Sequence, residues 1–359
     1  MKLGNITKIQ TGKLDANAAS ENGIYPFFTC SKEPLKIDYF KYDCECVLVA
    51  GNGDLNVKYY YGKFEAYQRT YIIESSNKNI LKTRYLFYFL SKYIETLRNQ
   101  SIGGVIKFIK LDNLLNAELN IPSLIEQENC ILELDKLNQL ISLKNNQLKS
   151  LDELIKSRFI EMFGDFFNGK SKYHLAKISD VVASKIERAS KDFHPDDLIR
   201  YVDISSIDNK RNVIIGYTEY TKKEAPSRAQ QHVKANDIVV STVRPNLNNV
   251  ARIHDSYENI VASSGFCVLR AEKIESDFLF GIVSMQTFAD YLNSLTTGAN
   301  YPAVSDKDIL NFMIPYPPND KQQEYAEFVK QVDKSKFIVQ KQIEDLQELL
   351  DSKMDEYFG

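Results

Sequence analysis

Residues 164–171 are the segment of this chain most similar to a catalytic motif. Their sequence, GDFFNGKS, fits the phosphate-binding pattern GxxxxGK[ST] at every fixed position. Such a loop binds nucleotide phosphates when a strand enters it and a helix leaves it. Here a long helical pattern enters, Gly164 stands where a helix-ending glycine is expected, and the following KYHLAKISDVV shows no convincing immediate helix. A nucleotide-binding enzyme is therefore an alternative that the surrounding pattern does not favour.

The other residue types that could catalyse a reaction or bind a metal have no motif spacing. Cys44 and Cys46 stand alone, and no ligand spacing relates the four histidines, which are His174, His194, His232 and His254. No glycine-rich dinucleotide fingerprint follows a strand, and the asparagine-proline-proline-aromatic sequence expected of an adenine methyltransferase is absent. We therefore predict a chain with no catalytic residue, no metal site and no bound cofactor.

Side chains suited to reading DNA bases lie in several polar loops. Arg pairs with guanine and Asn or Gln with adenine, whereas Lys, Ser, Thr and backbone N–H groups contact phosphates. The DNA-binding candidates in the first half are Asn52, Tyr67, Gln68, Arg69, Ser101, Gly103, Gly104 and Lys107. Those in the second half, several within STVRPNLNN, are Ser241, Thr242, Arg244, Asn246, Asn248, Thr297, Gly298, Asn300 and Tyr301. Because polar loop residues are usually only solvated, each remains a hypothesis.

Composition describes a cytosolic globular protein rather than a simple nucleic-acid binder. Of 359 residues, 43% are hydrophobic and 26% charged, and no apolar run approaches the roughly 18 residues that cross a bilayer. The N-terminus lacks a signal-peptide pattern, and five cysteines at irregular spacing fit reduced thiols in the cytoplasm. Because its net charge is −3, the chain alone would bind the phosphates of DNA weakly, so DNA binding would need help from a partner.

Two copies of one plan make up the sequence. SLDELIKSRFIEMFG at 150–164 matches DLQELLDSKMDEYFG at 345–359 without a gap, so that Leu151 corresponds to Leu346 and Phe163 to Phe358. Upstream, NIPSLIEQEN corresponds to MIPYPPNDKQQEY, and SIGGVIKFIKLDNLLN to TTGANYPAVSDKDILN. The middles of the copies, about 15–100 and 187–295, hardly match. Two related frames therefore carry two different surfaces.

The first part of each copy has a mixed α/β pattern. CVLVAGN, VKYYYG and RTYIIES in the first copy, and DIVVSTV, NVARI and GFCVLR in the second, are rich in β-branched and aromatic residues and predict strands. Helical patterns follow at 83–100 and 276–295.

The last part of each copy is predicted to be one long helix. Ser123 and Glu126 form a possible capping box, and Leu134, Ile141, Leu148, Ile155 and Met162 recur every seven residues. The second helix shows the spacing less cleanly, at Val329, Lys336, Ile343, Leu350 and Tyr357. About 40 residues at roughly 1.5 Å each would give rods near 60 Å, and seven-residue spacing favours a coiled coil. The alternative is amphipathic helices lying on the globular domains.

These patterns predict an α+β (mixed α/β) fold with a pseudo-twofold internal repeat. Two globular domains at 1–122 and 165–318 are separated by two long antiparallel helices at 123–164 and 319–359, which form a coiled coil.

The repeated blocks resemble the specificity subunit of type I restriction–modification systems. IPSLIEQ with the helix ending in RFIEMFGDF, and IPYPPNDKQQ with the helix ending in EYFG, carry the resemblance over the whole chain. The glycine loops and ANDIVVSTVRP (235–245) also look like this family. The first copy departs from the pattern because it lacks the Pro317-Pro318 pair and its loop GGVIKF diverges from GANYPA.

The resemblance implies a non-catalytic subunit with two target-recognition domains, each reading one half of a split double-stranded DNA sequence. The helices would hold the domains apart and dock two modification subunits, which bind S-adenosylmethionine and methylate adenine. Restriction subunits that cleave DNA could join them. The alternative from another class is a coiled-coil scaffold without DNA readout, which would explain the helices but not two diverged domains.

Overall fold

A computed structural model describes residues 1–253, 258–296 and 302–359. By internal contacts the chain divides into two compact units. The first unit comprises residues 1–147 and 339–359, and the second comprises residues 148–338. Each unit therefore contains one globular domain and part of both long helices, whereas the sequence pattern divides the chain into four consecutive segments.

The first unit is built on one mixed sheet covered by helices. Its six strands are β1 (Thr7–Thr11), β2 (Tyr25–Phe28), β3 (Leu35–Ile37), β4 (Tyr42–Ala50), β5 (Val57–Ala66) and β6 (Thr70–Ser75), and its helices begin with α1 (Thr83–Gln100), α2 (Leu111–Leu115) and the long α3 (Leu124–Phe163). The strands lie in the order β1-β6-β4-β5-β2-β3. Helix α1 buries Leu86 and Leu90 against Val47 and Ile73 of the sheet. The three strand patterns and the helix at 83–100 are thus where the sequence placed them.

The second unit contains smaller sheets and more short elements. Its strands are β7 (Gly164–Asp165), β8 (Lys170–Ser171), β9 (Leu175–Lys177), β10 (Leu198–Val202), β11 (Ile207–Asp208), β12 (Val213–Ile214), β13 (Thr218–Thr221), β14 (Ala229–Val233), β15 (Ile238–Ser241), β16 (Val250–Arg252), β17 (Ile260–Ser263), β18 (Phe266–Leu269) and β19 (Met313–Pro315). Its helices are α4 (Ile178–Val181), α5 (Ala189–Asp192), α6 (Ser276–Val283), α7 (Gln286–Ser294), α8 (Asp306–Leu310) and the long α9 (Asn319–Phe358).

The principal sheets of the second unit have the orders β13-β10-β17-β14 and β16-β15-β18. The helical pattern at 276–295 forms two helices, α6 and α7. The break lies at Ser284 and Met285, where Met285 has an extended backbone that starts α7. The carbonyl of Ser284 accepts a hydrogen bond of 2.8 Å from the side-chain amide of Asn248, a partner that local periodicity does not reveal.

The long helices α3 and α9 have the seam that the seven-residue spacing predicts. At their heptad positions the side chains are buried or half-buried, with Leu134, Val332 and Val339 among the buried ones. Within the second unit, Asp152 pairs with Lys336 at 2.6 Å and Arg158 with Glu324 at 2.7 Å. Residue numbers therefore increase along α3 as those of the paired residues decrease along α9, so the helices pair antiparallel. The mixed α/β fold with two long helices is confirmed. None of the helices within the described residues is long and apolar enough to cross a membrane.

Equivalent aromatic residues attach the C-terminal end of each long helix to a globular domain. Phe163 ends α3 and packs against Phe278 with ring centroids 4.8 Å apart in the second unit. Phe358, its partner in the repeat, ends α9 and packs against Tyr85 at 5.1 Å in the first unit. The internal repeat thus extends from sequence letters to packing.

A buried glutamine attaches the N-terminal end of each long helix. Gln127 accepts a hydrogen bond of 2.9 Å from the backbone N–H of Lys82 and donates to the carbonyl of Pro122 at 3.0 Å. Gln322 accepts one of 2.8 Å from the N–H of Glu275 and donates to Pro317 at 2.8 Å. In both units the side chain thus holds the residue before a domain helix (α1 or α6) against the start of a long helix.

Replacing Gln322 with alanine should lower the unfolding free energy of the second unit by about 1–3 kcal/mol, because the substitution leaves buried backbone groups without partners. Chemical denaturation followed by hydrogen exchange in peptides of each unit measures the effect. Gln323→Ala, at the neighbouring exposed position, is the matched control and should change stability by less than about 0.5 kcal/mol. Equal effects of the two substitutions would contradict this role.

Candidate nucleic-acid interface

Three segments that are distant in sequence meet at one edge of the first unit. They are the turn after β4, the turn between β5 and β6, and the loop after α1. The N–H of Gly51 donates to the carbonyl of Arg69 at 2.7 Å, the N–H of Ile109 donates to that of Gly51 at 2.9 Å, and the N–H of Gly53 donates to that of Lys107 at 3.0 Å. These bonds bring together four of the predicted site residues, namely Asn52, Gln68, Arg69 and Lys107.

The exposed polar groups at this edge carry hydrogen-bond donors and positive charge. Gln68, Arg69 and Lys107 are exposed, and the guanidinium of Arg69 lies 6.0 Å from the centre of the Phe108 ring. The amide nitrogen of Gln68 is 3.5 Å from a carboxylate oxygen of Asp15. A shallow cavity of about 340 Å³ opens beside them, lined by Thr11, Gly51, Gln68, Arg69, Tyr71 and Ile109. This edge can therefore offer donors to an acceptor-rich ligand.

The glycine loop at 101–108 is closed by its own backbone. Ile102 and Phe108 exchange N–H···O hydrogen bonds of 3.0 and 2.9 Å. Gly103 has a φ of +122°, and a Cβ there would lie 2.5 Å from the carbonyl oxygen of Ile106, so glycine is required for this turn. The hydroxyl of Ser101 donates to the carbonyl of Arg98 at 2.6 Å. Ser101 and Gly103 thus shape the loop, while Gly104 lies exposed at its tip.

Tyr67 and Phe108 hold this edge together. The backbone N–H of Tyr67, a predicted contact residue, donates to the carbonyl of Phe28 at 2.9 Å, and its side chain is half-buried. Phe108 was missed by sequence reasoning, although it forms a backbone bridge with Asn52 and lies against Arg69. The sequence feature that could have indicated Phe108 is its position as an aromatic residue directly after Lys107 in a glycine loop.

In the second unit, three of the predicted polar residues use their side chains inside the fold. Ser241 is buried, and its hydroxyl donates to the carbonyl of Val243 at 2.8 Å. The hydroxyl of Thr242 donates to Gly265 at 3.0 Å, and the amide of Asn248 donates to Ser284. These hydrogen bonds of Ser241, Thr242 and Asn248 support the segment.

Arg244 and Asn246 are the predicted contact residues of the same segment that are exposed. Arg244 has a left-handed backbone with a φ of +49°, a conformation that costs a residue with a side chain of order 1–3 kcal/mol. Its N–H donates to the carbonyl of Pro302 at 2.8 Å, which helps to hold the turn. Four further candidates lie outside the described residues and have no placement here: Thr297, Gly298, Asn300 and Tyr301.

Residues 164–171 lack the geometry of a phosphate-binding loop. Gly164 and Ser171 pair in a two-stranded hairpin formed by β7 and β8, and Gly164 has a φ of +85° with no space for a Cβ, which would lie 2.1 Å from the carbonyl of Lys170. Strand β9 follows before the four-residue α4. A phosphate-binding loop needs a strand before it and a helix after it. Here a helix enters the segment and a strand leaves it, so the structure does not support the nucleotide-binding alternative.

Two of the buried cysteine thiols are held in the protonated form. Burial raises the pKa of the Cys130 thiol to about 12 and also raises the pKa of Cys267, so both stay protonated at neutral pH. The described residues contain no group of three or more His, Cys, Asp or Glu side chains placed to hold a metal ion.

The sequence is similar to a known protein family and to individual proteins. The family model described as "Type I restriction modification DNA specificity domain" matches residues 1–153 and 170–348. The specificity subunit of the type I restriction enzyme EcoDI from Escherichia coli is 27% identical over 96% of this chain and 83% of its own length. The specificity subunit of the MjaVIII enzyme from Methanocaldococcus jannaschii is 23% identical over 97% and 88%.

A solved structure shares the fold of the whole chain. The crystal structure of the type I restriction–modification S subunit from M. genitalium matches 100% of this chain and 95% of its own, with a TM-score of 0.61 and 14% identity. At that identity the likeness concerns the fold. The family model, in contrast, matches two separate segments that each contain one globular domain and most of one long helix.

Proposed function

Because the chain belongs to the family of type I restriction–modification DNA specificity domains, we propose that it is the subunit that reads DNA for a methyltransferase. The first unit reads one half of a split target, and the second unit reads the other half. The observation that carries this proposal is a repeated frame with unrelated recognition surfaces. Equivalent glutamine and phenylalanine contacts recur in both units, while the middles of the two copies, about 15–100 and 187–295, hardly match in sequence.

The exposed donors suit direct readout in the major groove. Arg69 in the first unit and Arg244 in the second can each pair with the two acceptors on the edge of a guanine, and Gln68 and Asn246 can pair with adenine. Lys107 and nearby backbone N–H groups supply contacts to phosphates, which set the position of the protein on the duplex. The net charge of −3 limits the electrostatic part of the affinity, so a partner contributes phosphate contacts.

Each unit exposes apolar residues on its long helices where one copy of a partner subunit could bind. In the first unit Leu143 and Leu349 are exposed on the long helices, and in the second unit Ile338 and Leu154 are exposed in the same way, each by 46–56%. Leu143 corresponds to Ile338 and Leu154 to Leu349 in the repeat. We call Leu143 with Leu349 the first leucine pair, and Leu154 with Ile338 the second leucine pair. Two like surfaces, one in each unit, fit two identical modification subunits.

The chemistry of the complex belongs to these partners. S-adenosylmethionine is bound by the modification subunits, which methylate adenine, and this chain has no catalytic residue and no cofactor. Restriction subunits can join the complex to cleave unmodified DNA. The complex acts in the cytoplasm, where its DNA target is accessible.

Methylome sequencing tests this function. A host without DNA methylation should express the chain together with the methyltransferase encoded beside it. We expect adenine methylation confined to one split motif and no methylation when this chain is omitted. An assembled and active complex that leaves no such motif would overturn the proposal in favour of a scaffold.

Alanine at Arg69 should relax the sequence preference of one half-site, and alanine at Arg244 should relax that of the other. Each bidentate contact to a base contributes about 1–3 kcal/mol to discrimination, so we expect roughly ten- to hundredfold more methylation of sites with the wrong base. Methylome sequencing of both variants measures this change. The variants control for each other, because a general defect would affect both halves together. Broadening of the same half-site by both substitutions would contradict the assignment of one half to each unit.

A further inference from the structure

The tip of the loop at 101–108 exposes apolar side chains at the polar edge of the first unit. Val105 is fully exposed and Ile106 is 62% exposed. Both follow the exposed Gly104 and precede the exposed Lys107. Two adjacent exposed β-branched residues are unfavourable in water, and among the residues that the structure describes none covers the side chain of Val105.

The base of this loop is held firmly, so the position of the tip is defined. The paired backbone of Ile102 and Phe108 closes the loop, Phe108 bridges to Asn52, and the carbonyl of Lys107 accepts the N–H of Gly53. The glycine-only turn at Gly103 directs the chain away from this base. The tip therefore projects from the same edge that presents Arg69 and Lys107.

The surroundings indicate a nucleic acid as the occupant. The tip is flanked by the cationic Lys107, and Arg69 lies at the base of the loop against Phe108. The carboxylate of Asp54 in the neighbouring turn is within 3.8 Å of Lys32 and 3.4 Å of Arg98, so its charge is balanced. An apolar tip among cations fits the stacked base pairs between two phosphate chains.

We propose that Val105 and Ile106 form an apolar wedge that inserts at a base-pair step of the DNA bound by the first unit. The proposal rests on the proposed function and adds to it a means of recognition that uses no hydrogen bond. Apolar side chains inserted in this way unstack the bases and kink the duplex. Pyrimidine–purine steps unstack most easily, so the wedge favours a TA or CA/TG step in or beside this half-site.

Fluorescence of 2-aminopurine tests the wedge, because unstacking of this base analogue increases its emission. The assembled complex with the methyltransferase should be bound to duplexes that carry the motif found by methylome sequencing, with the analogue at successive positions. We expect emission to rise several-fold at one step of the first half-site. The double variant Val105→Ser with Ile106→Ser should abolish this rise and weaken binding at least tenfold. Discrimination in the second half-site should not change.

Two further variants serve as controls. Ile24→Ser changes an isoleucine that is 77% exposed at the opposite end of β2 from the contact with Tyr67, and it should leave emission and affinity unchanged. Ile106→Val keeps an apolar tip and should retain most of the rise. If the double variant methylates and unstacks DNA like the unchanged chain, or if it loses the methyltransferase instead, the wedge is overturned. A missing motif with the unchanged chain would contradict the proposed function itself, before this comparison is made.

Discussion

Glutamate at both members of the first leucine pair, Leu143→Glu with Leu349→Glu, should reduce the number of bound modification subunits from two to one. Each leucine buried by a partner contributes about 1.5–3 kcal/mol, and burial of an unpaired carboxylate costs several kcal/mol more. The affinity at that surface should therefore fall at least hundredfold. Native mass spectrometry of the complex counts the subunits directly.

The second leucine pair provides the symmetric experiment. Glutamate at Leu154 and Ile338 should also leave one subunit bound, and glutamate at all four positions should leave none and abolish methylation. Ser142→Glu is the matched control, because it adds the same charge at an exposed position about 100° around the helix from Leu143. Two subunits bound to the fourfold variant would show that the partner binds elsewhere.

Methionine in place of Arg270 should lower the unfolding free energy of the second unit by about 3–5 kcal/mol. The guanidinium of Arg270 forms two hydrogen bonds, of 2.8 and 2.7 Å, with the carboxylate of Asp237. Asp237 is 1% exposed, and removal of one partner of a buried ion pair leaves a charge without compensation. Because Asp237 precedes β15, which leads to Arg244, reading of the second half-site should fail as well.

Chemical denaturation with hydrogen exchange resolved by unit measures the loss at Arg270. Lys234→Met is the control, since Lys234 pairs with Glu187 on the surface at 2.7 Å and such a pair contributes about 0–1 kcal/mol. A second change, Asp237→Asn, should recover part of the stability in the Arg270→Met background. A loss below about 1 kcal/mol, or an equal loss in the first unit, would contradict the role of this pair.

The carboxyl of Glu187, which pairs with Arg270, makes the stability of the second unit depend on pH. Hydrogen bonds from Lys234 and from Arg270 lower the pKa of this carboxyl to about 2. Since the folded state has the lower pKa, the stabilisation is fully present above the ordinary carboxyl pKa of about 4.3. It is lost as the pH falls through 4 towards 2, when the carboxyl becomes protonated.

Features with local periodicity were determined by the sequence alone. The repeat that relates Phe163 to Phe358 predicted one frame used twice, and the seven-residue spacing predicted both long helices and their seam. The capping box was also readable, since the N–H of Ser123 donates to Glu126 at 2.8 Å and the N–H of Glu126 to the hydroxyl of Ser123 at 3.3 Å. The heptad spacing and the capping box depend on residues within a few positions of one another, and the repeat is found by aligning two such local patterns, so the order of residues encodes these features directly.

Only the tertiary structure decided which polar residues support the fold and which face outward. Ser241 and Asn248 are of residue types that can contact DNA, but the Ser241 hydroxyl donates to the carbonyl of Val243 and the Asn248 amide donates to that of Ser284. The same bond at Ser284 coincides with the break between α6 and α7, which no proline or glycine marks. The edge that gathers Arg69 and Lys107 likewise depends on backbone hydrogen bonds between segments tens of residues apart. Partners at such distances in sequence are set by the packing of the whole unit, because a polar side chain bonds to whichever group the fold brings near it.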